Sequence, residues 1–231
     1  MQNVQITIDG PAASGKSTIA RLVAERLDGF YINTGDMYRT LTWVIRECGF
    51  DPKIDTAAIV ALLDEINIRY EISPNGVPQL LLNGEPVQQT DIRNPKVAAE
   101  VSDVAKIREV RTWMVQRQRL TARLGLVVME GRDIGTVVFP EAAHKFFLTA
   151  SPAERARRRL NQAGESPCDA TVESVAAEIA RRDRIDSTRA VAPLRPARDA
   201  VTIDSTHMTQ EEVATQIINT ILSTETNHNY A

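Results

Sequence analysis

Apolar and polar positions follow two different periods along this chain, and the switches between them mark out its elements. Residues 4–9 alternate as a strand, and beyond a short loop Ile19, Leu22, Val23 and Leu27 recur at three and four, as in a helix laid on a sheet. Phe30-Tyr31-Ile32 predicts a second short strand, followed by a helix with Met37, Leu41, Val44, Ile45 and Cys48 on one face. Between about 63 and 100 the period returns to two. Ile66, Ile68, Tyr70 and Ile72 alternate with polar residues, Ser73-Pro74-Asn75-Gly76 makes a turn, and residues 80–82 run into a second turn at Asn83-Gly84. That grammar predicts a small inserted antiparallel sheet of three strands.

A long helix is expected over 96–123, with Val101, Val104, Ile107, Val110, Met114 and Leu120 on its apolar side. Its other positions include Lys106, Arg108, Arg111, Arg117, Arg119 and Arg123, and such a basic set is usually a solvated face. Residues 126–130 form an unbroken apolar run ending in Glu130, the mark of a central strand covered on both faces, and 146–148 form another. Ser151-Pro152-Ala153-Glu154 opens a helix with a capping box and proline at its first position. A last strand over 200–204 and a helix with its own Thr209-x-x-Glu212 box follow, and the polar tail after Leu222 is expected to fray. Strands alternating with helices predict an α/β fold, a parallel sheet of about five strands flanked by helices.

The loop after the first strand carries chemistry. Gly10-Pro11-Ala12-Ala13-Ser14-Gly15-Lys16-Ser17-Thr18 has the spacing of a phosphate-binding loop, in register with the strand before it and the helix after it. Glycines at 10 and 15 let successive backbone N–H groups turn toward a polyphosphate, and the helix adds its positive end. Lys16 brings a mobile charge for the β- and γ-phosphates, and the Ser17 hydroxyl is a ligand for Mg²⁺.

The chain has 231 residues, 43% apolar and 25% charged, with a net charge of −3, which argues against a general nucleic-acid binder. No run approaches a membrane span and the start lacks a signal-peptide layout, so the expected compartment is the cytoplasm. Cys48 and Cys168 are far apart and outside any metal-binding spacing, which speaks against both a disulfide and zinc. Of the 27 basic residues 22 are Arg, a choice that fits bidentate phosphate binding and equally fits genomic composition. Position tips the balance. Arg39 follows the Gly35-Asp36-Met37-Tyr38 turn, Arg132 follows the strand ending at Glu130-Gly131, and ten arginines lie between 155 and 198. No guanine-reading Asn/Thr-Lys-x-Asp motif occurs. Arginines at strand ends and on a separate basic segment suit a second phosphate-bearing substrate under a closing flap, the layout of a small nucleoside monophosphate kinase. A kinase for another small acceptor and a nucleotide-dependent binding module remain the alternatives.

Thr34-Gly35-Asp36-Met37-Tyr38-Arg39, Glu130-Gly131-Arg132-Asp133-Ile134-Gly135-Thr136-Val137-Val138-Phe139-Pro140, and the segment 182–194 with its Arg189-Ala190-Val191-Ala192-Pro193-Leu194 run are distinctive. By these motifs the chain resembles the bacterial cytidylate kinases along nearly its whole length. The resemblance implies a P-loop kinase with a single domain over 1–231, a nucleoside-monophosphate-binding insertion over 35–100 and a helical lid over 151–190. The implied reaction moves the γ-phosphoryl group of ATP, with Mg²⁺, to CMP or dCMP. The sequence itself, with no exposed heptad or interface stripe, leads to the expectation of a monomer with neither a nucleic-acid nor a membrane partner.

By the same resemblance the loop residues 10–18 and Arg158 bind ATP. Arg39 and Arg132 hold the CMP phosphate; Thr34, Arg111 and Asp133 read the base; Ser102, Arg182 and Asp186 lie near the sugar. Arg189 lies near the base or the transferring phosphate, so that Lys16, Arg132, Arg182 and Arg189 form the implied catalytic set and Ser17 the metal ligand. Residues 155–159 belong to the flap over ATP, and Arg195-Pro196-Ala197-Arg198-Asp199-Ala200 to an adenine-side loop. Read without the resemblance, Arg132 and Asp133 also fit a structural ion pair, and Glu130 fits either a water-mediated contact to Mg²⁺ or a brace for the loop. Asn33 stands where many relatives have an acid, Thr34 where many have serine, and Glu130 where some have aspartate.

Overall fold

The computed structural model describes residues 4–162 and 170–228, without the side chains of 225–228. In chain order the elements are β1 (Gln5–Asp9), α1 (Lys16–Arg26), β2 (Phe30–Asn33), α2 (Thr34–Glu47), α3 (Thr56–Leu62), β3 (Ile68–Ile72), β4 (Pro78–Leu82) and β5 (Glu85–Pro86). They continue with α4 (Gln89–Ile92), α5 (Pro95–Val104), α6 (Arg108–Leu120), β6 (Val127–Gly131), β7 (His144–Thr149), α7 (Pro152–Leu160), α8 (Val172–Thr188), β8 (Val201–Asp204) and α9 (Gln210–His228). Cys168 and the stretch 163–169 of the expected lid lie outside the described residues, whereas Cys48 is an exposed free thiol.

The main sheet has five strands in the order β2-β6-β1-β7-β8, all parallel. β6 and β1 sit centrally, and β6 is buried along its whole length, as its unbroken apolar run requires. On one face Ile6, Ile8, Phe146 and Leu148 pack against Ile19 and Val23 of α1 and Val213, Ile217 and Ile221 of α9. On the other face Ile32, Val127 and Met129 meet Ile134 and Val138 of the turn that follows β6. The inserted three-stranded antiparallel sheet, β3-β4-β5, belongs to a second core formed by Met37, Leu41 and Ile45 of α2, Ile59 of α3, Ile68, Leu80, Val101, Val104, Val110 and Met114. A fully buried Met, Leu or Ile stabilises by about 1.5–3 kcal/mol, so these residues give the insertion a core of its own beside the main sheet.

Three expectations are corrected. The helix over 96–123 is two helices, α5 and α6, with a break at 105–107 where Ile107 is extended (φ −64°, ψ 120°). Both helices face the second core and Ile107 is buried between them. Its missing turn leaves the Ala105 carbonyl free to accept from Arg111 Nη1 at 3.4 Å. Residues Thr121–Leu124 form a separate tight turn, and Leu120 is 48% exposed rather than on the apolar side. The Ser151 box is half formed: the Glu154 N–H donates to Ser151 Oγ, while the Ser151 N–H goes to Thr206 and the Glu154 carboxylate to Arg157 and Arg158. The box at Thr209 and Glu212 is complete in both directions. No helix among the described residues is long and apolar enough to cross a membrane.

Candidate active site

The loop 10–18 leaves the carboxyl end of β1, at the edge where a ligand is expected in a parallel sheet. Gly10 has φ +154°, and a Cβ there would lie 2.0 Å from the Leu148 carbonyl oxygen, so only glycine passes between β1 and β7. Ala13 (φ 57°) and Gly15 (φ 95°) are both left-handed, which bends the backbone into an anion-binding concavity before α1 begins. The Lys16 ammonium donates to the Pro11 carbonyl at 2.6 Å and to Ser14 Oγ at 3.2 Å. Burial first, and then the Arg132 charge, pushes this lysine down to about 7.

The loop is fastened from behind by α7 and α8. The Ala12 N–H donates to Asp183 Oδ1 at 3.1 Å, and the Ala12 carbonyl accepts from Arg155 Nη1 at 3.2 Å, while Arg155 and Asp183 pair with each other. Arg158 donates to the Ser14 carbonyl at 3.2 Å and to the Ser205 hydroxyl and carbonyl at 3.0 and 2.7 Å. Ala12 itself packs with Ala156, Val175 and Ile179. Of the basic run 155–159, then, Arg155 and Arg158 grip the loop, Arg157 is exposed and paired with Glu154, and Arg159 is buried at the cavity wall.

One cavity of about 520 Å³ runs from Ala13, Gly15, Lys16, Ser17 and Thr18 to Thr34, Arg39, Ser102, Arg111, Arg132, Asp133, Arg182, Asp186 and Arg189, with Arg158 at its rim. Its volume suits a small organic ligand. Every residue the resemblance assigned to CMP lines it; Gly10, Pro11, Ala12 and Ser14 stand behind it and shape the loop. Residues 195–200 lie away from it, where the Asp199 carboxylate accepts from Lys145 Nζ at 2.7 Å.

The end of the cavity away from the loop is a network of carboxylates held between guanidinium groups. Asp133 accepts from Arg111 Nη2 on one oxygen and from Arg189 Nη2 at 3.3 Å on the other. Arg111, treated from spacing alone as one of a solvated set, is 2% exposed. Asp186 accepts from Arg132 Nε at 2.9 Å and lies 3.9 Å from Arg189 Nη1. The Arg189 Nε–H donates to the Ala192 carbonyl at 2.6 Å, which fixes the end of α8 over the site. The Thr34 hydroxyl donates to the Glu130 carbonyl at 2.7 Å and ties α2 to the end of β6. Arg39 is buried, with Nη1 3.5 Å from the Ile92 carbonyl.

Arg182 stands apart from these pairs. It is buried and its Nε has no partner. Burial, and then the charges of Arg159, Arg39 and Arg132, push this guanidinium down to about 9. Several cations converging on one cavity with a donor unspent suit an anion.

Sequence reasoning missed Asp9, the clamp made by Asp183 and the Tyr31–Glu130 pair. Asp9 is 3% exposed and accepts from the Ile134 and Gly135 amides, both at 2.8 Å. The Tyr31 hydroxyl donates to Glu130 Oε1 at 2.8 Å. A carboxylate ending an apolar strand immediately before the loop glycine was the one signal available for Asp9. The rest depend on contacts across more than 25 residues, which no local pattern records.

Residues 6–223 match the family model described as cytidylate kinase. The cytidylate kinase of Geobacillus kaustophilus is 51% identical over 220 residues, covering 94% of this chain and 96% of that protein. That of Geobacillus thermodenitrificans is 50% identical over 218 residues, covering 94% and 96%. A bifunctional pantoate ligase/cytidylate kinase of Synechococcus is 44% identical over 215 residues, 92% of this chain and 39% of that protein. Among solved structures, shikimate kinase from Acinetobacter baumannii in complex with shikimate aligns over 96% of this chain and 94% of its own with 17% identity and a TM-score of 0.46. On the extent of the family match and of these sequence identities, the chain belongs to the cytidylate kinase family.

Proposed function

We propose that the protein transfers the γ-phosphoryl group of ATP to CMP, and to dCMP, giving CDP or dCDP and ADP. The observation that carries this reading is the single cavity joining the phosphate loop to a carboxylate held between two buried guanidinium groups and to a separate cluster of arginines.

In this reading loop residues 10–18 cradle the triphosphate, with Lys16 on the β- and γ-phosphates and Arg158 at the loop's edge. Arg39, Arg132 and Arg182 receive the CMP phosphate by paired N–H donors. Asp133 accepts from the cytosine 4-amino group. A carboxylate has about four acceptor positions, and the two arginines engage only part of them. Arg111 donates to O2 and N3 of the base, with Thr34 beside it, while Ser102, Arg182 and Asp186 meet the ribose. Uracil presents an oxygen where cytosine presents the amino group, so UMP leaves Asp133 facing an acceptor and is rejected. Transfer then needs alignment and charge neutralisation, which Lys16, Arg132 and Arg189 supply, and exclusion of water by the helices over 151–190.

The residues present fit Mg²⁺. Ser17 and Glu130, oxygen donors of the hard kind that Mg²⁺ takes, both line the cavity beside the loop. Ser17 by its hydroxyl and Glu130 through water would hold the ion, which when bound neutralises charge on the phosphate oxygens. The enzyme acts as a monomer on free nucleotides in the cytoplasm, its net charge of −3 being unsuited to a nucleic-acid surface. A coupled ADP-release assay with CMP, dCMP, UMP, AMP and shikimate at equal concentration tests the reading. CMP and dCMP should be used best, and Asp133→Asn should lower kcat/KM for CMP at least about tenfold while leaving the KM for ATP in place. Equal use of UMP by the parent enzyme, or a loss confined to ATP, refutes it.

A further inference from the structure

Directly after Arg132 and Asp133, which follow β6, lies one turn of unusual form. Residues Ile134–Val138 wind one π turn, closed by the Phe139 N–H donating to the Ile134 carbonyl at 2.7 Å. Both ends of that turn are held by charged side chains from elsewhere. At its start the Ile134 and Gly135 amides donate, each at 2.8 Å, to the two oxygens of Asp9. At its end the Val138 and Val137 carbonyls accept from Arg119 Nε and Nη2 at 3.0 and 2.8 Å. Gly135 lies so close to β1 that a Cβ would sit 2.9 Å from Thr7 Oγ1. The turn is thus pressed against the strand that leads into the phosphate loop.

Asp9 immediately precedes Gly10, the first residue of that loop, and Ile134 immediately follows Asp133. We infer that Asp9, seconded by Arg119, is a positioning residue that locks the base-reading Asp133 and its neighbour Arg132 at a fixed distance from the donor loop. The inference rests on the CMP kinase reading above and extends it to a group that touches neither nucleotide. The geometry is demanding. A carboxylate presents an acceptor to each amide, whereas the isosteric asparagine presents one acceptor and one NH₂ donor, so one amide of the turn faces a donor and loses its partner. Asp133 then shifts relative to Arg111 and Arg189, and the base pocket loosens while the loop's own clamps, Asp183 and Arg155, stay in place.

The test is a comparison of Asp9→Asn and Arg119→Gln with the parent enzyme, measuring KM and kcat for CMP, UMP and ATP. Amide exchange at Ile134 and Gly135 is followed by NMR alongside. For Asp9→Asn the expected result is a CMP-to-UMP preference lowered about tenfold, mostly through a higher KM for CMP, with the KM for ATP within twofold and faster exchange at one or both amides. Arg119→Gln, at an exposed side chain, should move the preference the same way by a smaller factor. If Asp9→Asn does not fold, Arg119→Gln alone decides. An unchanged preference in every folded variant, or equal losses toward CMP and ATP, overturns the positioning role. A parent enzyme inert toward CMP overturns the proposed reaction and this role together; an active parent with indifferent variants overturns the role alone.

Discussion

Replacing Arg182 by methionine should make the free protein more stable while destroying its use of CMP. The side chain is 7% exposed, its Nε has no partner, and the charges nearest it include Arg159, Arg39 and Arg132. Burial and those cations lower its pKa from the usual guanidinium value to about 9, a fall of more than three pH units, which at about 1.4 kcal/mol each corresponds to roughly 4–5 kcal/mol of cost for keeping it charged at neutral pH. That cost is already net of the opposing Asp186 charge, and methionine of similar length recovers apolar packing. The expected net gain is therefore about 2–4 kcal/mol, or roughly 4–16 °C in Tm for a chain of this size. Differential scanning fluorimetry of the two proteins without nucleotide measures it. The same scans with CMP at about 100 times its Kd should raise the parent Tm by a comparable amount, because the ligand contributes about 2.7 kcal/mol at that ratio, and should leave Arg182→Met nearly unmoved. A free Arg182→Met protein less stable than the parent would show that the guanidinium is satisfied within the fold, and the anion site built around it would fall with that result.

Other perturbations address the donor side. Lys16 is held near 7 in the free protein by burial and then by Arg132, and phosphate oxygens must raise that value on binding. A group whose pKa rises on binding takes up a proton between its two values, so ATP binding at pH 8 should consume protons and weaken as pH climbs above 7. Titration calorimetry in two buffers of different ionisation enthalpy reads this directly, and no net proton uptake at pH 8 would refute it. The same lysine lowers stability below its unfolded value, near 10.5, and the loss is complete once pH has fallen through about 7; Lys16→Met should remove that slope from a plot of stability against pH. Gly10→Ala, which sets a methyl 2.0 Å from the Leu148 carbonyl, should cost at least about 3 kcal/mol by chemical denaturation and abolish ATP binding. A stable, ATP-binding Gly10→Ala would mean that β7 can move aside.

The elements were legible where the forces that set them are local. The alternation of Ile68, Tyr70 and Ile72 and the Asn83-Gly84 turn specify the inserted sheet, and the run before Glu130 specifies the central strand. The helix over 96–123 was misread because its apolar spacing continues through Ile107. The break there is set by two helices sharing one core, which no spacing along one helix reports. The same break brings the Ala105 carbonyl within reach of Arg111, so the error of element and the hidden burial of Arg111 have one cause. The half-formed Ser151 box has a similar origin. Glu154 is drawn to Arg157 and Arg158, and Arg158 in turn holds the loop at Ser14. Local motifs give way where a charged partner from another element competes for the same group.

Register explains why loop and arginine cluster can cooperate at all. β1 and β6 are adjacent and parallel with Asp9 opposite Gly131, so Gly10 and Arg132 leave the sheet side by side. Asn33 lies opposite Glu130 on the far side of β6, which brings Thr34 to the same edge. The loop after β1, the Arg132–Asp133 pair after β6 and Thr34 after β2 therefore start from neighbouring strands, each about one spacing, roughly 4.8 Å, from the next, a separation fixed by backbone hydrogen bonds rather than by side chains. Side chains then set only the last ångström, through Asp9 on the turn after Asp133 and through Asp183 and Arg155 on the loop. This division assigns different consequences to different damage: a slip in sheet register would separate the two substrates altogether, whereas loss of one of these clamps should change selectivity or KM and leave the phosphoryl path open.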